Sequence, residues 1–166
     1  MTLKPGDRLP PVEFTVATAD GSQKMAPDVI FGGRKVVLIG LPGAFTPTCS
    51  MNHLPGFIAA HDALKALGID TIACTAVNDI HVMKAWAKAS GAEGKVTMLA
   101  DGNAEFAKAA GLELDLTAAG MGLRSRRYAM LVDDGVVKAL NIETERGVNL
   151  SSAETMLETI RGLKPS

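Results

Sequence analysis

Residues 35–49 read KVVLIGLPGAFTPTC, and the change of pattern inside this stretch decides the fold. Residues 35–41 form a nearly continuous apolar, β-branched run, which is what a strand buried on both faces requires. The run passes into a turn-rich segment, Pro42-Gly43-Ala44-Phe45-Thr46-Pro47-Thr48-Cys49, and then the period changes from two to nearly four. Phe57, Ala60, Leu64 and Leu67 recur at helical spacing up to Gly68, a suitable stop. Pro55-Gly56 falls inside that span, so the predicted helix starts near Thr48, kinks at Pro55 and continues.

Upstream, residues 12–16 alternate at Val12, Phe14 and Val16 as a short strand before the turn-prone Asp20-Gly21-Ser22. Downstream, 69–77 is the next strand, and Asn78-Asp79 supplies cap chemistry for a helix that runs to Ser90 and closes at Gly91. Residues 96–100 make a third core strand and 104–110 a short helix, followed by a less regular stretch over 111–125. Asp133-Asp134-Gly135 between the apolar runs 127–132 and 136–142 signals a hairpin. A last helix fits 151–161, with Ser151 or Ser152 as cap and Met156, Leu157 and Ile160 facing inward. Strands alternating with helices call for a mixed central sheet with helices on both faces, an α/β fold. No repeat, low-complexity tract or linker interrupts the chain, so 1–166 reads as one domain.

Composition narrows the function. A length of 166 residues, 47% hydrophobic, suits one well-packed core. Seventeen Lys and Arg against eighteen Asp and Glu leave a net charge of −1, which removes the electrostatic basis for nucleic-acid binding. Five Phe, one Trp and one Tyr are too few for base-stacking platforms. Cys49 and Cys74 form no Cys-x-x-Cys, which argues against a disulfide scaffold, a zinc knuckle or a dithiol oxidoreductase. Residues 1–11 are polar, with Lys4, Asp7 and Arg8, unlike a signal peptide, and no apolar run reaches membrane-span length. A reducing, cytoplasmic location is expected.

Cys49 falls in the first turn of the predicted helix, where unpaired backbone N–H groups and the helix dipole favour thiolate over thiol. The plain alternative is a small buried hydrophobe. The spacing Pro42-x3-Thr46-x2-Cys49 favours chemistry, because one loop brings a hydroxyl and several N–H groups around the sulfur. His53, His61 and His81 match no metal pattern; His53, one turn beyond Cys49, is placed to tune the thiolate, but the reading preferred is a partly exposed helix residue. Asn78-Asp79 is explained by capping. Gly32-Gly33 and Gly120-Met121-Gly122 read as turns, and Val82, Met83 and Trp86 as a core stripe.

The segment PGAFTPTC resembles the active-site loop of the peroxiredoxins, and LPGAFTPTCSMNHLPGF, DTIACTAVNDIHVMKAWAK and LELDLTAAGMGLRSRRYAMLVDDGVVKALNIE are similar to the type II, or peroxiredoxin-five-like, subfamily. The resemblance runs from about Pro5 to Leu163. It implies a thioredoxin-like fold and a thiol-dependent peroxidase acting on hydrogen peroxide and small organic hydroperoxides. It also implies catalytic roles for Cys49, Thr46, Pro42 and Arg127, the last placed before Tyr128 at a strand start. Cys49 would be the nucleophile oxidised to a sulfenic acid, Thr46 and Arg127 would orient the peroxide, and Pro42 would shield the sulfur. Arg124 and Arg126 are weaker candidates, since strand alternation sends Arg126 away from Arg127. Cys74, in the apolar run IDTIACTAV, is by default an inert buried thiol; a resolving cysteine is the alternative. The later loop that holds the resolving cysteine in other members reads Gly147-Val148-Asn149-Leu150-Ser151 here. The expected reductant is therefore external, glutathione with glutaredoxin, or thioredoxin. No metal, haem, flavin or nicotinamide cofactor is implied, and a homodimer formed through loops near the active site, Phe45 among them, is expected. The rival readings are a redox sensor or relay using Cys49, and a thioredoxin-like binding module with Cys49 merely packed.

Overall fold

A computed structural model of the chain describes residues 2–18, 20–145 and 147–163. In chain order it contains β1 (Phe14–Thr18), β2 (Gly21–Met25), α1 (Pro27–Phe31), β3 (Lys35–Gly40), a π-helical turn (Cys49–His53), α2 (Leu54–Ala59), α3 (His61–Ala66), β4 (Thr71–Ala76), α4 (Ile80–Ser90), β5 (Thr97–Ala100), α5 (Glu105–Ala109), β6 (Glu113–Leu116), a 3₁₀ turn (Thr117–Ala119), β7 (Gly122–Ser125), β8 (Tyr128–Asp133), β9 (Val136–Ile142) and α6 (Ala153–Gly162). Seven strands form one sheet in the order β2-β1-β5-β4-β3-β8-β9, while β6 and β7 pair separately. The centre is parallel, β3 with β4 and β4 with β5, and the flanking pairs are antiparallel.

Alternation along β3 builds both halves of the core. Val37 and Ile39 join one cluster with Leu54, Phe57, Leu64, Met83, Trp86 and Met156, and Val36 and Leu38 join the other with Phe14, Phe31 and Phe106. Helices α2, α3, α4 and α6 therefore cover one face, and α1 and α5 the other. Each large side chain removed from water this way stabilises the fold by roughly 2–3 kcal/mol before conformational entropy is counted.

The topology fixes where loops converge. β3 and β4 are parallel, so the segments after Gly40 and Ala76 leave the same sheet edge. β8 runs antiparallel to β3 with Tyr128 opposite Gly40, which sets Arg127 beside the start of the 41–48 loop. A Cβ on Gly40 would lie 2.1 Å from Tyr128 Cε1, so the buried Tyr128 ring requires glycine there. Ligands of open α/β sheets sit at such strand ends.

Several elements differ from the sequence expectation. The first strand begins at Phe14, not Val12, because the Val12 N–H turns back to the Pro10 carbonyl. Its partner β2 and the β6–β7 hairpin within 111–125 were not anticipated. The helix predicted to kink at Pro55 instead opens into the π-helical turn, with the Leu54 N–H bonded to the Cys49 carbonyl, and then breaks at Ala60. Pro55 has no N–H to give the Met51 carbonyl, and its ring crowds that oxygen, so the turn before it widens. Asp79 caps α4 through the Val82 N–H at 2.9 Å, and Gly91 ends it at φ 77°, as predicted.

Candidate active site

Pro47 and Thr48 lead into the π-helical turn, and the first intrahelical bond runs from the Ser50 N–H to the Thr46 carbonyl, 2.9 Å. Cys49 stands in that first turn, as predicted, and its own amide precedes that bond. The side chain is fully buried. Arg127 Nη2 donates to Cys49 Sγ at 3.1 Å, a charge-assisted bond that a thiolate accepts best. Arg127 in turn is held by its backbone, whose carbonyl accepts from the Glu143 N–H at 2.9 Å and so prolongs the β8–β9 ladder by one pair.

The loop is braced from both sides. Thr46 Oγ1 donates to the Gly43 carbonyl at 2.7 Å, which leaves the oxygen's lone pairs free to accept. Asn78 Oδ1 accepts from the Ala44 N–H at 2.9 Å. Asn78 therefore does more than contribute to capping; it ties the segment after β4 to the loop after β3. Arg124 donates through Nε to the Met121 carbonyl (2.8 Å) and through Nη1 to the Val77 carbonyl (3.3 Å). A Cβ on Gly43 would meet Arg124 Nη1 at 3.1 Å, so Arg124 backs the loop rather than facing the sulfur. Trp86 Nε1 donates to Ser50 Oγ at 3.0 Å, which puts the single tryptophan next to the π-helical turn that carries Cys49.

A cleft of about 810 Å³ is lined by Pro42, Thr46 and Thr48 of the loop before Cys49, by Arg127, and by Leu114, Leu116 and Met121 of the β6–β7 hairpin as an apolar side; Cys49 itself is buried behind this lining. Arg126 lines the same cleft. The expectation that it faces away from Arg127 fails because 126 and 127 lie between β7 and β8, where strand alternation does not apply. The Arg126 N–H bonds to the Leu112 carbonyl at 2.7 Å.

His53 also departs from expectation. It is wholly buried, not partly exposed, and bridges Arg127 Nη1 (3.0 Å to Nδ1) and the Ser151 carbonyl (3.0 Å from Nε2). Burial first, then the Arg127 charge, lowers its pKa to about 4, against the Ser151 bond and Glu143. Glu143 Oε2 accepts from the Asn149 N–H, the Ser151 N–H and the Ser151 hydroxyl at 2.6–2.7 Å. These bonds outweigh burial, the largest single influence, and hold its pKa below the usual carboxylate value. Spacing from Cys49 was the only sequence signal for His53; Glu143 had none.

Cys74 lies in the interior of β4, fully buried, in the same core cluster as Cys49, and both thiols are free. Burial, then the neighbouring Cys49, pushes its pKa far above the ordinary thiol value, with Arg127 opposing. His61 is half-buried beside Asp62, and His81 is exposed on α4. Among the described residues, no group of three His, Cys, Asp or Glu side chains is placed to hold a metal ion, and no helix is long and apolar enough to cross a membrane.

The chain is similar to known proteins in sequence and fold. Residues 4–157 match the Redoxin family. Peroxiredoxin-2E-2, chloroplastic, of Oryza sativa subsp. japonica is 48% identical over 164 residues, covering 96% of this chain and 73% of its own. Peroxiredoxin-2E, chloroplastic, of Arabidopsis thaliana is 46% identical over 165 residues, covering 96% and 70%. The crystal structure of reduced Prx3 in complex with hydrogen peroxide from Vibrio vulnificus superposes with a TM-score of 0.92 at 49% identity, over 96% of this chain and 99% of that one. The shared architecture is the thioredoxin-like α/β fold. With the family matched over most of its length and relatives of this closeness spanning nearly all of it, the chain belongs to the Redoxin family and, within it, to the peroxiredoxins, thiol-dependent peroxidases.

Proposed function

We propose that this chain reduces hydrogen peroxide and small organic hydroperoxides at Cys49 and is recycled by an external thiol. The observation that carries this is Arg127 Nη2 on Cys49 Sγ at 3.1 Å, with Arg127 and Thr46 both lining the adjacent cleft. The thiolate attacks the nearer peroxide oxygen; the S–O bond forms, the O–O bond breaks, and the departing oxygen takes up one proton, equivalent to the one the Cys49 thiol released to solvent, and leaves as water or alcohol. Thr46 Oγ1, already committed as donor to Gly43, accepts a hydrogen bond from the hydroperoxide O–H and aligns the O–O bond with the sulfur. The Arg127 guanidinium and the Cys49 N–H stabilise the charge that develops on the oxygens. Pro42 in the cleft lining keeps water from the sulfur. The product is the Cys49 sulfenic acid, which one thiol converts to a mixed disulfide and water, and a second thiol returns to Cys49 with a disulfide as by-product. The Vibrio vulnificus relative is described in complex with hydrogen peroxide, which supports the same substrate here.

Cys74 is fixed inside β4, and residues 147–151 contain no cysteine, which supports glutathione with glutaredoxin, or thioredoxin, as the reductant. Unpaired cysteines suit a reducing compartment such as the cytoplasm. Phe45, 55% exposed at φ 61° beside the reactive turn, supports a homodimer paired across this loop. Intact mass spectrometry of reduced protein after one equivalent of hydrogen peroxide, without added thiol, tests the scheme. The expected result is a gain of one oxygen that needs Cys49 and persists in Cys74→Ser. A loss of two hydrogens at monomer mass, abolished by either substitution, would make Cys74 the resolving residue.

A further inference from the structure

The network around Cys49 continues past Arg127, and its polarity is fixed at every step. A guanidinium only donates, so His53 Nδ1 must be the acceptor of the Arg127 Nη1 bond; a carbonyl only accepts, so His53 Nε2 must carry the hydrogen given to Ser151. The two bonds together permit one neutral tautomer. Beyond it, Glu143 Oε2 gathers three donors from residues 149–151 and so fixes the Ser151 carbonyl that His53 needs. Glu143 also donates its backbone N–H to the Arg127 carbonyl. The segment before α6, about 100 residues from Cys49 in sequence, thereby closes onto the arginine from both ends.

We propose that His53, held in its Nε2–H tautomer by the 149–151 segment and Glu143, is a positioning residue that sets Arg127 over the peroxide-binding site at Cys49. His53 does not touch the sulfur; it acts through the guanidinium. Without the Nδ1 acceptor, Arg127 Nη1 loses a buried partner and the fork swings off the line of the O–O bond. A misplacement of about 1 Å in such a group costs on the order of a hundredfold in rate. The charged groups acting on the imidazole are Arg127 and Glu143, and only the first is in direct contact with it.

This inference rests on the peroxidase reading of Cys49, and the test separates the two. Reduced protein is mixed with hydrogen peroxide under single-turnover conditions, and oxidation is followed by Trp86 fluorescence and confirmed by mass. Asn at position 53 returns an amide oxygen near the place of Nδ1, whereas Gln returns an amide hydrogen near the place of Nε2. His53→Asn is therefore expected within about threefold of the wild-type rate, and His53→Gln slower by about tenfold to a hundredfold. In an Arg127→Gln background, His53→Gln should add almost nothing, because its effect passes through the arginine. A His53→Gln rate equal to wild type, or full multiplicative slowing in the Arg127→Gln background, would overturn the positioning role. An unreactive wild-type Cys49 would overturn the peroxidase reading instead. A measurement on the unmodified protein guards against poorly folding variants: nitrogen NMR of ¹⁵N-histidine protein at neutral pH should show His53 as the Nε2–H tautomer. The Nδ1–H tautomer or an imidazolium there would refute the network.

Discussion

Cys49 and Cys74 are equally buried, both at 0% exposure and in one hydrophobic cluster, yet only one sits among polar partners. Cys49 receives a guanidinium hydrogen bond at the head of a helix, beside a cleft. Cys74 sits between Ile39 and Met98 in adjacent strands of a sheet whose side chains there are apolar. Exposure therefore does not distinguish the thiol proposed to react from the one proposed to be inert. The difference lies in the cationic donor aimed at the sulfur, Arg127, which stands just before β8.

The largest effect that can break this contrast is loss of the Cys49 thiol. Cys49→Ser should lower peroxide consumption by about 10³-fold or more, whereas Cys74→Ala should stay within about twofold of wild type. A coupled assay with glutaredoxin and glutathione, or with thioredoxin, reads both. Equal losses in the two variants would mean that Cys74 takes part in turnover. Arg127→Gln ranks next: removing the guanidinium keeps a neutral donor but loses its charge and fork, and peroxide oxidation of Cys49 should slow by at least about tenfold, that is, about 1.4 kcal/mol of transition-state stabilisation. Unchanged stopped-flow rates would remove Arg127 from the mechanism.

How much of this contrast the sequence reveals depends on distance along the chain. Pro42, Thr46 and Cys49 share one loop, so their spacing carries the site, and the buried strand before them carries the fold. Arg127 is legible only through family resemblance, because its neighbourhood with Cys49 arises from β8 pairing with β3. His53 reads as a partly exposed helix residue until the 149–151 segment covers it. Glu143 and Asn78 act through tertiary contacts that no local pattern announces. The missed strands have similar causes. β2, GSQKM, is a polar edge strand with no inward apolar alternation, and β6, ELDL, alternates for only four residues.

The two regions should also separate by pH. Folding lowers the His53 pKa from 6.5 to about 4, so between those values the unfolded chain binds a proton that the folded chain does not. Stability from this group is then complete above about pH 6.5 and lost as pH falls toward 4, by up to about 3 kcal/mol. Glu143, whose pKa is also lowered on folding, adds loss of the same sign at more acidic pH. Urea unfolding midpoints measured from pH 7 to pH 4 should fall steeply for wild type and for Cys74→Ala, and less steeply for His53→Asn. Identical slopes in all three would remove His53 as the acid-sensitive element.

The smallest effect belongs to Cys74 and sharpens the contrast from its inert side. β4 already buries the Thr75 hydroxyl with no hydrogen-bond partner among the described residues, so the neighbouring strand interior has little polar capacity to spare. Cys74→Ala loses packing and should cost about 1 kcal/mol, whereas Cys74→Ser also buries a second hydroxyl and should cost about 1–3 kcal/mol. In native protein Cys74 should resist iodoacetamide at pH 8, because burial and the nearby Cys49 disfavour its thiolate, and should react only as the sheet opens. Alkylation of Cys74 faster than global unfolding, or a Cys74→Ser variant as stable as wild type, would show that β4 yields locally and would bring the second cysteine within reach of the first.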